Sequence, residues 1–255
     1  MTPSVPKTTA TEWFSEWFDS PYYHILYKNR NEAEAEMFID NICQLLALPP
    51  QARLLDVACG KGRHARYLSK KGYNVIGTDL AAASIQYAQQ FENQNLKFEV
   101  QDMRTVYKPQ YFDGIFNFFT SFGYFETDSE NQQAIAAIAQ NLKPKGLFVL
   151  DFMNTHKVIQ DLVQQETKIV ENIQFRISRK VQNGFILKDI AFEDEQQTFQ
   201  FQEKVMAISL GMFEQYFNNN QLKIRHLFGN YALQPFDLLR SDRMIFVLEL
   251  NTTLA

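Results

Sequence analysis

Cysteine is scarce: the 255 residues hold only Cys43 and Cys59, and neither sits in the paired spacing that builds a zinc site or a secreted disulfide framework. A reduced, cytoplasmic setting is expected. Long apolar runs are missing as well. No stretch approaches the roughly 20 residues that a bilayer requires, and Met1–Thr11 is polar and Pro/Thr-rich without the apolar core of an export signal. Neither export nor membrane insertion is expected. Positive charge is not in excess, since 25 Lys and Arg face 29 Asp and Glu for a net charge of -4. That balance lacks the electrostatic footprint of a phosphate-backbone binder, so nucleic acid is not an expected partner. The four histidines, His24, His64, His156 and His226, are too scattered to suggest a metal cluster.

What is abundant is apolar and aromatic. Hydrophobic residues make up 45% of the chain, with Phe 23 and Tyr 11 among them, and the length permits a large core in one α/β domain with an insertion. An aromatic segment, Trp13 to Tyr27, precedes a helical pattern over Asn29 to Leu48 that Pro49 and Pro50 stop. Strand and helix then alternate. Strands are predicted at Arg53–Ala58, Asn74–Thr78, Lys97–Gln101, Phe112–Phe118 and Leu147–Phe152, with helices at Gly62–Lys71, Ala81–Gln90 and Ser129–Leu142. Such alternation implies parallel pairing with right-handed crossovers, hence a doubly wound sheet.

Beyond Asn154 the period changes to two. Gln174–Val181, Phe185–Glu193 and Thr198–Ser209 are rich in β-branched and aromatic residues and are separated by turn signals such as Asn183-Gly184. They read as antiparallel strands inserted after the fifth strand of the main sheet, and the insertion is expected to pack on the main domain. Helix Met212–Asn219 and strands Leu222–Phe228 and Met244–Leu250 close the chain.

The chemical signal is concentrated at Leu54-Leu55-Asp56-Val57-Ala58-Cys59-Gly60-Lys61-Gly62-Arg63, a strand-to-helix junction. Glycines there let the backbone approach a ligand, and the strand ends of a doubly wound sheet form the usual crevice. Gly60-x-Gly62-x-x-Ala65 with Asp79 also satisfies a dinucleotide fingerprint. A diphosphate on this turn would be repelled by Asp56, whereas an ammonium group would be attracted. Gln101-Asp102-Met103 after the third strand adds a carboxylate for an exocyclic amine and a thioether for a ring face.

In these motifs the chain resembles the class I S-adenosylmethionine-dependent methyltransferases, from about Arg53 to Phe152. Asp56-x-Ala58-x-Gly60-x-Gly62, Val75-Ile76-Gly77-Thr78-Asp79-Leu80 and Gln101-Asp102-Met103 match the family's first three motifs. The resemblance implies a Rossmann-like α/β fold, a seven-stranded sheet whose last strand is antiparallel, with an inserted antiparallel β subdomain. The implied cofactor is S-adenosylmethionine, with Asp56, Ala58, Cys59 and Gly60 near its methionine part, Asp79 on the ribose diol, Leu80 and Met103 on adenine, and Asp102 on its amine. Cys59-Gly60-Lys61-Gly62-Arg63-His64 and Leu227-Phe228-Gly229-Asn230-Tyr231 resemble small-molecule methyltransferases with strands inserted after strand five, some of which methylate sugar amines.

After strand four, Asn117-Phe118-Phe119-Thr120 lacks the two prolines found in methyltransferases of nucleic-acid amino groups. Phe119, Thr120 and Tyr124 are taken to border the methyl-transfer site, the first two beside the cofactor, while Phe116 and Phe118 are read as core and Asp113 as structural. Tyr22, Tyr23 and Tyr27 belong to a candidate lid, with Tyr23 and Tyr27 assigned to an acceptor pocket; His24 becomes a candidate base if that lid closes. No catalytic residue is assigned. The resulting division is 1–50 lid helices, 51–155 cofactor-binding core, 156–210 inserted β subdomain and 211–255 completion of the core sheet. The expected partner is a small-molecule acceptor, methylated on nitrogen or oxygen, and the insertion either walls its pocket or forms a homodimer interface. Two rival readings are a nicotinamide-dependent oxidoreductase and a protein that binds the cofactor without transferring anything.

Overall fold

A computed structural model describes residues 17, 18, 20–27 and 32–251. Met1–Thr11, Trp13 and Asn29 lie outside the described residues, as does the side chain of His24. The described residues fall into two compact units, one holding those up to 27 with 162–206, the other 32–161 with 207–251.

The larger unit is a seven-stranded sheet: β1 (Arg53–Val57), β2 (Asn74–Asp79), β3 (Leu96–Val100), β4 (Phe112–Asn117), β5 (Leu142–Met153), β10 (Leu222–Phe228) and β11 (Arg243–Leu250). Their order is β10-β11-β5-β4-β1-β2-β3. β1 to β5 are mutually parallel, and β11, the last strand of the chain, runs antiparallel to both β5 and β10. This is the doubly wound, Rossmann-like α/β sheet expected. The direction of winding reverses at β1, so the crevice for a ligand opens above the carboxyl ends of β1 and its neighbours.

Among the described residues six helices belong to this unit: α2 (Glu32–Leu46), α3 (Arg63–Lys70), α4 (Ala82–Gln89), α5 (Asp128–Asn141), α6 (Thr155–Gln160) and α7 (Leu210–Asn219). α5 starts where its sequence says it should, because Thr127 and Glu130 form a reciprocal capping box. The core between helices and sheet is built on Phe38, Ile42, Leu54, Val75, Phe98, Phe116, Phe118 and Val149. Phe116 and Phe118 are 1% and 3% exposed, as their reading as core required. Asp113 ties strand starts together: it accepts the Arg53 N–H at 2.8 Å and the Lys143 ammonium at 2.5 Å.

β5 begins five residues before its predicted start. Leu142 pairs with Phe112, and the ladder resumes only at Leu147 opposite Gly114. The turn residues Lys143-Pro144-Lys145-Gly146 are thus accommodated as an irregularity in one strand, with Lys145 at φ 63.

The smaller unit contains α1 (Pro21–Leu26) and an antiparallel sheet of β6 (Gln165–Val170), β7 (Ile173–Gln182), β8 (Phe185–Asp194) and β9 (Gln197–Met206), paired in that order. Alternation decides its faces. Ile173, Phe175 and Ile177 are buried, while Gln174, Arg176 and Ser178 between them are exposed. The apolar face gathers Trp17, Leu26, Ile190 and Phe192, with Tyr22, Tyr23, Tyr27, Phe199 and Phe201 packed around them. Trp17, Phe18, Tyr22, Tyr23 and Tyr27 therefore share a core with strands more than 140 residues later. β6 is an element the period-2 reading did not find, because Gln165-Glu166-Thr167-Lys168 carries no apolar alternation and the strand is an edge.

Candidate cofactor site

β1 delivers the chain into a turn that local sterics make possible only for a few residues. Ala58, Gly60 and Gly62 have φ of 57, 54 and 78°, so left-handed residues alternate along it. The Cys59 N–H donates to the Thr78 carbonyl at 3.0 Å, and the Gly62 N–H closes the turn onto the Cys59 carbonyl. At Gly60 a Cβ would meet nothing within 4 Å, which leaves open space against the backbone. At Gly62 a Cβ would lie 2.4 Å from the Phe98 ring, so that glycine serves the packing of α3 against the sheet.

Asp79, at the end of β2, reaches across to this turn. Its Oδ2 accepts the Gly60 N–H at 2.8 Å and its Oδ1 accepts the Ala81 N–H at 2.9 Å. Two backbone N–H groups thus set the orientation of this carboxylate at the mouth of the turn. Leu80 beside it is 46% exposed. Such a leucine at a strand end offers apolar surface to a flat ring.

Asp56 sits one turn deeper in β1 and is 1% exposed, and its Oδ2 has no hydrogen-bond partner. Desolvation by burial raises its carboxyl to about 7; the Ala65 N–H counters this, Asp79 adds to it, and Arg63 opposes it. A second buried acceptor, Asn117 Oδ1 at the end of β4, is also without a partner, although its amide donates to the Val57 carbonyl at 3.0 Å. Buried acceptors left unmet call for an explanation, and a donor-bearing ligand such as an ammonium group supplies one. Cys59 is buried and its thiol is pushed well up, by burial first and by Asp56 and Asp79 next, so it is no nucleophile.

After β3, Asp102 is bracketed by Arg104. The Arg104 amide donates to Oδ1 at 2.9 Å, and Nε and Nη2 of its side chain reach both oxygens. Burial pushes the Asp102 carboxyl up, but the Arg104 hydrogen bonds outweigh that and hold it below the usual carboxylate range. Arg104 also donates to Glu130 of the capping box at 2.6 Å, which fixes the start of α5 to the end of β3. Met103 is partly exposed next to this bracket.

After β4 the backbone turns sharply, with Phe119 at φ 58 and Thr120 at φ 59. The His64 ring stacks on Phe119, centroids 4.9 Å apart and 12° between planes, and Arg63 lies 5.5 Å above the same ring. Arg63 donates to His64 Nε2 at 3.0 and 3.2 Å, which fixes that nitrogen as an acceptor. The Gly60 turn and the Phe119 turn are thereby joined through side chains. Tyr124 follows in the same loop, partly buried. Tyr23 and Tyr27 are in the smaller unit, where Tyr23 packs edge-on to Trp17 and the Tyr27 hydroxyl donates to Glu203 at 2.6 Å.

Sequence reasoning passed over the side chains that hold these turns: Arg63, Arg104, and a buried pair of Asp151 on β5 with Arg243 on β11. For Asp151 a signal existed, since it is the lone carboxylate in the apolar run Leu147–Phe152. Among the described residues, no three His, Cys, Asp or Glu side chains are grouped as metal ligands would be, and no helix is long and apolar enough to cross a membrane.

Residues 54–146 match the family described as methyltransferase domain. The chain is 32% identical over 120 residues to the Bacillus subtilis protein YqeM, a methyltransferase by name, covering 45% of this chain and 47% of that one. It is 28% identical over 171 residues to the dTDP-3-amino-3,4,6-trideoxy-alpha-D-glucopyranose N,N-dimethyltransferase of Streptomyces venezuelae, covering 64% and 69%. The match thus spans about half the length of the first of these relatives and about two thirds of the second. In fold, an S-adenosylmethionine-dependent methyltransferase from Clostridium acetobutylicum superposes with a TM-score of 0.78 at 20% identity, over 91% of this chain and 96% of that one. Residues 54–146 thus form a methyltransferase domain, and the chain shares the fold and sheet order of S-adenosylmethionine-dependent methyltransferases.

Proposed function

We propose that this protein transfers a methyl group to a nitrogen or oxygen of a small-molecule acceptor in a reducing, cytoplasmic compartment. The observation that carries the reading is the pairing of Asp79, anchored by the Gly60 and Ala81 amides, with the buried, unmet Asp56 Oδ2 across the same glycine turn. A carboxylate oriented for a diol beside one waiting for a cation suits the ribose and ammonium groups of S-adenosylmethionine, and a diphosphate would be repelled by both.

When bound, that cofactor supplies a methyl group on a positively charged sulfur, open to in-line displacement. The chain's own task is then alignment. Asp79 and Leu80 hold the nucleoside end, Asp56 with the Ala58-Cys59-Gly60 backbone holds the amino-acid end, and Asp102 with Met103 borders the adenine. Phe119, Thr120 and Tyr124 line the acceptor side. Holding two reactants in register contributes about 7 to 11 kcal/mol to barrier reduction, so no covalent role is needed from the protein. A neutral amine needs no base either. Thr120 is not placed to act as one, because its hydroxyl oxygen already accepts an Arg243 N–H at 2.9 Å.

Amino sugars linked to a nucleotide are the first acceptor class to test, since the Streptomyces venezuelae relative carries that substrate in its name. Titration calorimetry with S-adenosylmethionine, S-adenosylhomocysteine and NADH tests the cofactor assignment. Binding of the first two without the third is expected, and the reverse ranking would return the chain to the dehydrogenase reading. Turnover of S-adenosylmethionine that depends on an added amino-sugar nucleotide, with the methyl found on nitrogen, completes the test.

A further inference from the structure

The seam between β5 and β11 holds a charged pair that the proposed site does not yet use. Asp151 is fully buried, and a buried carboxylate persists only when donors converge on it. Here they do. Its Oδ2 accepts the Phe119 N–H at 2.7 Å and the Tyr231 hydroxyl at 3.3 Å, and its Oδ1 accepts Arg243 Nε at 2.8 Å and Nη2 at 2.7 Å. The Thr120 N–H donates to the Asp151 carbonyl at 3.0 Å, and Arg243 Nη2 also donates to Thr120 Oγ1. Register explains why the pair can form: Met153 lies opposite Arg243 and Ile245 opposite Asp151, so the two charges are diagonal neighbours on one face.

Three of these bonds end on two residues whose backbone is strained. Phe119 and Thr120 both occupy the left-handed region, which neither an aromatic nor a β-branched residue adopts readily. Such conformations survive where surrounding contacts over-determine them, and they gather at binding sites. Aromatic packing adds to the hold, with the Phe119 ring against His64 and Tyr231.

Sheet order says which end of the ligand this turn serves. Asp79 ends β2 and Asp102 ends β3, on one side of β1, while the Phe119 turn ends β4 on the other side. A ligand with its ribose on Asp79 and its adenine towards β3 has its amino-acid and sulfur end towards β4. We propose that Asp151 and Arg243 are positioning residues: they lock the Phe119–Thr120 turn in its left-handed form and so shape the wall that meets the amino-acid end of the cofactor. This rests on the methyltransferase reading above.

The test is ligand-selective binding by the full chain, measured by calorimetry with two probes. S-adenosylhomocysteine carries the amino-acid end; methylthioadenosine keeps adenine, ribose and sulfur and lacks it. Arg243→Lys retains the charge beside Asp151 but loses the planar fork that bridges Asp151 to Thr120. It is expected to weaken S-adenosylhomocysteine about tenfold while methylthioadenosine changes less than about twofold. Thr120→Val leaves the ion pair whole and removes one hydrogen bond, so a smaller loss with the same selectivity is expected even if Arg243→Lys fails to fold. Equal losses for both probes would make the pair a general support of the fold, and no loss for either would remove the clamp; each outcome overturns the proposal. A wild-type chain that binds neither probe would instead overturn the cofactor assignment, so the two failures are distinct.

Discussion

Two of the aromatic clusters among the described residues differ in how their polar atoms are treated. In the smaller unit each tip that the sheet buries is met: Trp17 Nε1 and the Tyr27 hydroxyl both donate to Glu203, at 2.8 and 2.6 Å, and the Tyr22 hydroxyl donates to Asp194 at 2.9 Å. Lys188 sits over the Tyr27 ring at 4.6 Å and pairs with Glu203 at 3.4 Å. At the strand ends of the larger unit, Phe119, His64, Phe38 and Tyr231 also pack ring on ring. There, however, an aromatic and a β-branched residue, Phe119 and Thr120, hold left-handed backbone, whereas the left-handed positions of the smaller unit are polar residues such as Asn172 and Asn183, and two buried acceptors, Asp56 Oδ2 and Asn117 Oδ1, are unmet. Aromatic density alone does not mark a site. The coincidence of left-handed Phe119 and Thr120 with unmet acceptors at neighbouring strand ends does, because a fold bears such costs together where a ligand will offset them.

That contrast can be broken by substitution. The largest effect is expected at Asp79→Ala, which on the proposed reading would remove two charge-assisted hydrogen bonds to a ribose; S-adenosylhomocysteine affinity should fall about a hundredfold by calorimetry. An unchanged affinity would empty the site of its meaning. Gly62→Ala comes next, since its Cβ would enter the Phe98 ring at a left-handed position. A loss of about 2 to 3 kcal/mol in urea unfolding is expected.

In the smaller unit, Glu203→Gln keeps an acceptor for Trp17 and Tyr27 but leaves the Lys188 ammonium without its counter-charge. Stability should drop by about 2 kcal/mol with cofactor affinity within about twofold of wild type. A large affinity loss would erase the distinction between the clusters.

The smallest effect is a pH dependence through Asp56. Its carboxyl is raised in the fold from an ordinary 3.8 to about 7, so the folded state holds a proton that the unfolded chain has released between those values. The stability this contributes is complete below about pH 4 and lost as pH rises through 7. Binding of an ammonium-bearing ligand favours the ionised form, so S-adenosylhomocysteine affinity should rise up to about tenfold from pH 6 to 8. Asp56→Asn should flatten both profiles.

Much of this was legible in the chain. The alternation from Arg53 to Phe152 places five parallel strands, and Asp56, Gly60, Asp79 and Asp102 fall at strand ends because strand lengths and turn glycines fix where each strand stops. Period-2 alternation found β7, β8 and β9, whereas β6 escaped because an exposed edge strand needs no apolar face. Arg104 was hidden for a different reason. A side chain that locks Asp102 from two residues away carries no period, and its second partner, Glu130, lies 26 residues on.

The sequence by itself determined the sheet, its switch point and the acidic residues around the glycine turn, since these depend on local conformational preference and on apolar periodicity. Only the tertiary structure decided the rest. It put Trp17, Tyr22, Tyr23 and Tyr27 into one core with β7 to β9, because aromatic faces bury against whichever apolar sheet is left uncovered. It also brought Arg243 to Asp151 and both to the Phe119–Thr120 turn, because antiparallel pairing of the last strand sets that register, and no local pattern in the chain encodes a contact 92 residues long.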